Sequence, residues 1–274
     1  MITAQQERDF YDQQYQRFLA LPDDALAINR AVIEKNIGNP AHPFYERRRL
    51  YQATVDELSR QPLAGLRVLD YGCGPADFGL WMATEGAHVT LLDLSPLAIE
   101  LGLKRAQASG VAHRVRGVAA DASSLPMLED ASFDLVFACA ALHHTMKYPG
   151  ALEELARVMT PGARLALCET WGGNPLLNAA RAIRAKLQGE REEQGEDIIL
   201  SHKELELLEP WFDGLQVRHL NLLAMGKRLL RGRFQSAAAR ATVTALESVD
   251  RALLALLPFL EDWCGEAVIT ASRR

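Results

Sequence analysis

Two adjacent histidines, His143 and His144, and several carboxylates that follow short apolar runs are the residues whose types and spacing could do chemistry. A histidine titrates near neutrality and can take a proton from a nucleophile if it points into a ligand cleft. The run Val68-Leu-Asp-Tyr-Gly-Cys-Gly74 puts Asp70 just before two glycines, and Asp77 follows them. Glycines at the end of a strand let the backbone approach a ligand closely. A dinucleotide turn would carry a third glycine where Asp77 stands, and a pyrophosphate held between Asp70 and Asp77 would be repelled. A ligand bearing positive charge fits these acids better. Asp93 ends the next apolar run, about twenty residues on, the spacing at which a carboxylate takes ribose hydroxyls. Asp121 follows a third run, where it can accept a hydrogen bond from an exocyclic amine. Cys73, Cys139, Cys168 and Cys264 are far apart and form no CxxC pair. They read as small apolar fillers, with no disulfide frame and no metal site expected.

Bringing these tips to one place requires consecutive strands to lie side by side. From Leu66 short apolar runs alternate with amphipathic segments: RVLDYG, FGLWMATEG, HVTLLDLS, PLAIELGLKRAQASG, VRGVAADA, FDLVFACAAL, ALEELARVM and ARLALCETW. Strands without strict alternation, each followed by a helix, predict a parallel sheet buried on both faces. Pro161 and Gly162 punctuate the last turn before a strand. Residues 1–60 lack strand-like runs. Phe10, Tyr11, Tyr15, Phe18 and Leu19 recur at helical spacing there, predicting a helical cover broken near Gly38, Pro40 and Pro43. Residues 61–171 form the core. In residues 172–274 we read an amphipathic helix in NPLLNAARAIRAKL and a charged, solvated loop in GEREEQGED. A capping box, Ser201 to Glu204, opens a helix running toward Trp211 and Phe212. LQVRHLNLLAM and EAVITASR read as closing strands, with an insertion of about forty residues between them that a minimal sheet does not need. The three segments make one catalytic domain, the last supplying a substrate lid.

At 274 residues and 49% hydrophobic the chain can bury a full core. A formal net charge of -5 argues against broad binding of nucleic acid, which needs a basic footprint. The polar N-terminus, with no apolar leader, and the absence of a spanning-length apolar run make a cytoplasmic location the expectation.

Taken in order, Val68 to Gly74, Asp93 after Val-Thr-Leu-Leu, Ala120-Asp121-Ala122 before Leu125-Pro126, Phe133-Asp134-Leu-Val136, His143-His144 and Arg157-Val-Met-Thr-Pro-Gly162 form a set. Over roughly residues 65–171 the chain thereby resembles the class I S-adenosylmethionine-dependent methyltransferases that act on small molecules. The resemblance implies an α/β, Rossmann-like, seven-stranded, mostly parallel sheet of order 3-2-1-4-5-7-6, with helices on both faces and helical lid insertions. It implies S-adenosylmethionine as cofactor and S-adenosylhomocysteine as product. Gly72, Cys73 and Gly74 would lie along the methionine moiety, Asp93 with Leu94 at the ribose, and Asp121 at the adenine amine. Ala122 would meet the ring through its backbone, and the backbone near Ala138 and Cys139 would face the amino group. Tyr11 and Tyr15 sit on an N-terminal segment of the kind that folds over the cofactor in similar enzymes. Pro75-Ala76-Asp77 departs from the commonest wording, which leaves the role of Asp77 open.

Each residue also has a plainer reading. Asp70 could brace its own loop, Asp93 could cap a helix before Ser95-Pro96, and Asp121 could be a turn acid beside Ser123 and Ser124. Asp134 reads as a structural tie. His143 and His144 could cap a strand end, and Tyr11 and Tyr15 could be ordinary helix packing. Glu169, a buried acid closing the fifth strand, calls for a partner such as Arg47, Arg48 or Arg49. The run Lys227-Arg228-Leu-Leu-Arg231-Gly-Arg233 reads either as a solvated face or as a site for an anionic group or phospholipid headgroup. With LLALLPFL beside it, residues 227–260 form an apolar lid or a peripheral membrane contact. The expected activity is methyl transfer to a small, apolar or amphipathic, even lipid-like, acceptor, at oxygen first and at carbon or nitrogen second. His143 or His144, with Tyr15, attends that acceptor. The rivals are a cofactor-binding partner or scaffold without turnover, a nicotinamide-dependent oxidoreductase, and a methyltransferase of DNA or RNA bases. The last would carry an Asn/Asp-Pro-Pro-aromatic tetrapeptide or a Pro-Cys where this chain reads Cys139-Ala-Ala-Leu-His143.

Overall fold

The computed structural model describes residues 4–188 and 199–274, so the charged loop read at 189–197 lies outside the described residues. Helices α1 (Ala4–Leu19), α2 (Asp23–Leu26), α3 (Arg30–Gly38) and α4 (Arg48–Leu58) precede the sheet. Its strands are β1 (Arg67–Tyr71), β2 (His88–Asp93), β3 (Val115–Ala119), β4 (Phe133–Cys139), β5 (Met159–Thr170), β6 (Phe212–Leu220) and β7 (Glu266–Arg273). Helices α5 (Asp77–Thr84) and α6 (Pro96–Ala108) make the first two crossovers, and α7 (Leu142–Thr145) and α8 (Ala151–Val158) follow β4. Helices α9 (Pro175–Gln188) and α10 (His202–Glu206) follow β5, and α11 (Ala237–Leu256) fills the insertion before β7.

The strands form one sheet of order β3-β2-β1-β4-β5-β7-β6, as the resemblance implied. Strands β1 to β5 pair in parallel, while β7 runs antiparallel to both of its neighbours. Alternation along β4 explains why the strands read as continuous apolar runs. Leu135 and Phe137 enter one core with Ile33, Leu50 and Trp81, and Val136 and Ala138 enter the other with Leu155 and Trp171. Both faces are therefore covered, and no position along the strand can be polar without a partner.

Local chemistry sets several boundaries. Ser95 caps α6 by accepting from the Ala98 N–H, with Pro96 in the first helical position. The capping box at Ser201 forms, but α10 stops after five residues, short of Trp211. Pro161 and Gly162 lie in a bulge, because Phe133 pairs with Met159 while Leu135 pairs with Arg164. The first closing strand is shorter than the apolar run LQVRHLNLLAM. It ends at Leu220, where Asn221 turns to φ 64. Beyond it the carboxylate of Asp250 accepts from the N–H groups of Leu222, Leu223 and Ala224, and Leu223–Leu230 folds as a 3-10 helix.

The insertion is bound to the N-terminal helices by ion pairs. On α11 the buried face runs through Ala239, Val243, Glu247 and Asp250. Arg48 meets Glu247 at 2.7 Å, Arg49 approaches Asp250 at 3.8 Å, and Arg47 reaches the fully buried Glu266 at 3.1 Å. These are the arginines expected for Glu169, and all three are engaged elsewhere. Lys227 is buried and lies 3.3 Å from Glu266, while Arg231 pairs with Glu46. Lys227 is thus withdrawn from the solvated face, while Arg231 and Arg233 stay exposed. Burial alone would raise the carboxyl of Glu266, yet Lys227 and Arg47 hold it down at about 2. The apolar run after the helix is exposed, with Leu256 77% and Phe259 72% accessible. No helix among the described residues is long and apolar enough to cross a membrane.

Removing Glu266 would leave Arg47 and Lys227 facing each other without a counter-charge. Urea unfolding of Glu266→Gln should therefore show a loss of about 3 kcal/mol or more. Arg231→Ala, at an exposed pair, should cost less than about 1 kcal/mol. Equal effects of the two would contradict this account of the clasp.

Candidate functional site at the carboxyl edge of the sheet

The carboxyl ends of β1 to β4 open into a cavity of about 370 Å³. Tyr11, Tyr15, Asp70, Gly72, Cys73, Gly74, Asp93, Leu94, Asp121, Ala122, Cys139 and His144 line it. Ala138 and His143 do not. Ala138 alternates onto the other face of β4, and His143 is turned toward Glu169. No lining residue among those described comes from 172–274, so the expectation of a substrate lid from that segment finds no side chain at the wall.

The turn after β1 is built on close approach. Gly72 adopts φ 66, and a Cβ on it would overlap the Cβ of Ala141. Any side chain at Gly74 would come within 3.1 Å of the Tyr15 hydroxyl, which α1 lowers over the turn. Helix α1 is held there by Arg8, which donates to the Leu94 carbonyl at 3.3 Å, and by Asp12, which accepts from the Ser95 hydroxyl. Behind the turn, Asp70 is 3% exposed and accepts from the Gly79 N–H. A Cβ at position 79 would overlap its carboxylate, so α5 can pack on β1 only because Gly79 is a glycine. Asp70 thus braces the turn, as its plainer reading had it, while also forming part of the cavity wall.

The other acids are satisfied in different ways. Asp93 accepts from the Gly74 N–H through Oδ2 and the Ser95 N–H through Oδ1, both at 2.9 Å. It ties two loops, and the helix cap falls to Ser95. Each oxygen keeps a lone pair for a hydroxyl donor. Asp121 Oδ1 accepts from the N–H and hydroxyl of Ser123, at 2.9 and 2.8 Å, which leaves Oδ2 for a ligand. Asp77 is held by Arg105 at 2.8 Å, whose guanidinium also donates to the carbonyls of Leu26 and Pro75. Asp134 is a tie, paired with Arg67 at 2.7 Å and distant from the crevice.

The two histidines divide. His143 donates through Nδ1 to Glu169 Oε2 at 2.7 Å, and Glu169 is fully buried. His144 stands on the cavity wall, its Nε2 sharing a hydrogen bond with the Tyr11 hydroxyl at 3.4 Å. Burial first, then the neighbouring His143 and Lys147, push the His144 imidazole down to about 3. It is therefore neutral across the physiological range, where the sequence alone promised a group titrating near 6.5. Phe44, Tyr51, Phe78, Phe137 and Tyr148 also line the cavity and carried no motif that could have marked them. Four carboxylates, Asp70, Asp77, Asp93 and Asp121, share the wall, and no lysine or arginine is among its described residues. The cradle that any added Cβ would fill, the open oxygen of Asp121 and the carboxylates of Asp93 and Asp121 on a wall without lysine or arginine all suit an adenosyl ligand bearing a cation.

Burial, with Asp93 and Asp77 adding to it, raises the Asp70 carboxyl to about 8. Between the unfolded value near 4 and about 8, the folded chain holds a proton that the unfolded chain has lost. Stability of the ligand-free protein should therefore fall as pH rises through that window. Asp70→Asn should flatten the fall, gaining on the wild type at pH 8 and losing that gain at pH 4 in urea unfolding. Parallel profiles for the two proteins would contradict the assignment.

Residues 69–167 match the family described as "Methyltransferase domain". The chain is 42% identical over 105 residues to the 27-O-demethylrifamycin SV methyltransferase of Amycolatopsis mediterranei, covering 38% of each chain. It is 33% identical over 172 residues to the malonyl-[acyl-carrier protein] O-methyltransferase of Pseudescherichia vulneris, covering 60% of this chain and 64% of that one. The chain thus spans less than two thirds of the length of these relatives. The solved phosphoethanolamine N-methyltransferase 2 of Haemonchus contortus, in complex with S-adenosyl-L-methionine, superposes with a TM-score of 0.55 at 18% identity. That superposition covers 81% of this chain and 51% of that one, and at such identity it speaks for the fold alone. Residues 69–167 are thus similar to the methyltransferase-domain family, and the sheet order is that of the Rossmann-like fold of the solved methyltransferases.

Proposed function

We propose that the protein transfers a methyl group from S-adenosylmethionine to the oxygen of a small molecule. The observation that carries this reading is the meeting of the Gly72–Gly74 turn, Asp93 and Asp121 in one cavity with four carboxylates and no cationic side chain on its described wall. The cofactor supplies an electrophilic methyl carbon on a cationic sulfur. In this reading Asp121 takes the adenine amine, Asp93 the ribose hydroxyls, and the Gly72–Gly74 backbone runs along the amino-acid end, with Tyr15 above it. The sheet order then directs the reactive end toward β4, because β3, β2, β1 and β4 are successive neighbours.

Transfer to an already activated carbon depends chiefly on orientation and on keeping water out. Tyr11 and Tyr15 on α1 cover the crevice, and His144 accepts a hydrogen bond from the acceptor hydroxyl in place of Tyr11. S-adenosylmethionine would supply the methyl carbon and keep the carbon–sulfur electron pair on its sulfur, while His144, neutral at pH 7, would orient the acceptor hydroxyl, whose proton would be released to solvent as the oxygen takes the methyl group. His143, fixed by Glu169, packs against the His144 ring with centroids 4.1 Å apart and positions it. A nicotinamide cofactor fits less well, since Asp77 fills the third glycine slot and no lysine or arginine on the described wall would meet its pyrophosphate.

A second reading concerns location. Burial of Lys227 reduces the basic face expected for a membrane contact, while the exposed Leu256, Phe259 and Trp263 favour an apolar one. Flotation with uncharged phosphatidylcholine vesicles should then recover the wild type but not Leu256→Ser/Phe259→Ser; equal, negligible recovery of both removes this contact.

Calorimetry with S-adenosylhomocysteine tests the main reading. Asp93→Ala should weaken binding at least about tenfold, the worth of charge-assisted hydrogen bonds to a hydroxyl pair. Unchanged affinity would refute the placement. His144→Phe should retain that affinity and lower the turnover of transferred methyl label by about tenfold to a hundredfold. Full turnover would remove His144 from the chemistry.

A further inference from the structure

At the β4 end of the cavity four aromatic rings form a connected cluster. Phe44 and Tyr51 have centroids 4.6 Å apart, Tyr51 and Phe78 5.7 Å, and Phe78 and Phe137 5.3 Å. Phe44 also stacks on Phe78 at 6.2 Å with an interplanar angle of 11°. Phe78 and Phe137 are core residues, 5% and 1% exposed, whereas Phe44 and Tyr51 are half-buried and line the cavity. An aromatic face left half open inside an otherwise covered crevice has no folding purpose that a leucine would not serve. Phe137 stands on β4 and Tyr51 on α4, which packs on β5 and β7, whereas Asp93 and Asp121 follow β2 and β3.

Charge narrows what the cluster could hold. The nearest guanidinium, Arg47, lies 5.9 Å from the centroid of Tyr51, but it is engaged with Glu266 and Thr170 and is not on the wall. An anionic acceptor would enter beside Asp93 and Asp121 with no lysine or arginine on the described wall to balance it. A cationic acceptor would be repelled by the sulfonium that it must approach.

We propose that Phe44, Tyr51, Phe78 and Phe137 form the acceptor subsite and that the acceptor is an uncharged, planar aromatic alcohol, its ring against Phe44 and Tyr51 and its hydroxyl at His144. This rests on the cofactor reading above and deepens it. Phe44 and Tyr51 then set specificity by ring contact, while Phe78 and Phe137 hold them in place.

The test uses the full chain saturated with S-adenosylhomocysteine and three probes in calorimetry: 2-naphthol, decahydro-2-naphthol, and 6-hydroxynaphthalene-2-sulfonate. The first two share a carbon skeleton but differ in planarity, and the third adds an anion. Two aromatic contacts should favour 2-naphthol over decahydro-2-naphthol by about tenfold, and the sulfonate should bind more weakly still. Phe44→Leu and Tyr51→Leu should each cut the planar preference to about threefold or less. Retained affinity for S-adenosylhomocysteine in each variant shows that the fold and the cofactor half are intact. If the wild type binds S-adenosylhomocysteine but binds none of the probes, prefers the saturated alcohol or the sulfonate, or keeps its preference in both variants, this inference is overturned alone. If S-adenosylhomocysteine does not bind the wild type, the cofactor reading falls and takes this one with it.

Discussion

Four carboxylates crowd one crevice whose described wall has no lysine or arginine, and the rest of the site is arranged around that constraint. Each acid is made tolerable by a separate device. Asp77 has Arg105, Asp93 has two backbone N–H groups, and Asp121 has the amide and hydroxyl of Ser123. Asp70 has only the Gly79 amide, and burial raises its carboxyl to about 8. None of these arrangements places a full positive charge inside the cavity. A ligand that brings one is attracted by Asp93 and Asp121, which have no cationic partner, in surroundings where Coulomb terms are stronger than in water. That is a physical reason for a sulfonium, and against a pyrophosphate, at this edge of the sheet.

The sheet order makes the convergence unavoidable. Parallel neighbours deliver the tips of β3, β2, β1 and β4 to the same rim, so side chains far apart in sequence line one crevice. Helix α1 closes it from above, and Arg47 with Arg48 and Arg49 at the start of α4 pairs with Glu266 on β7 and with Glu247 and Asp250 on α11. The cover of the ligand and the clasp on the insertion are thus parts of one helical layer. The C-terminal segment thus contributes to this layer's anchoring and, among its described residues, none to the wall.

The parallel sheet was legible because strands buried on both faces leave continuous apolar runs, and the cofactor turn because close backbone approach demands glycine. Asp93 and Asp121 were legible for a similar reason, as acids immediately beyond a strand end. What escaped depended on distant partners. Nothing near Glu169 in sequence says that its partner is His143 and not an arginine. Lys227 stands in a basic run like any solvated one, and only Glu266, brought beside it by β7, makes it a buried ion. Gly79 reads as an ordinary helix glycine until the carboxylate of Asp70 is seen to occupy the place of its missing side chain. The rings of Phe44 and Tyr51 follow no spacing rule, because they meet Phe78 and Phe137 only through tertiary folding.

The account stands on the orientation of an adenosyl ligand across the strand tips. The most direct measurement is a crystal structure with S-adenosylhomocysteine bound. We expect the adenine at Asp121, the ribose at Asp93 and the sulfur facing His144, with the four-ring cluster open beside it. Adenine density at the β4 end, or a ligand bound elsewhere on the surface with the crevice unfilled, would contradict the account.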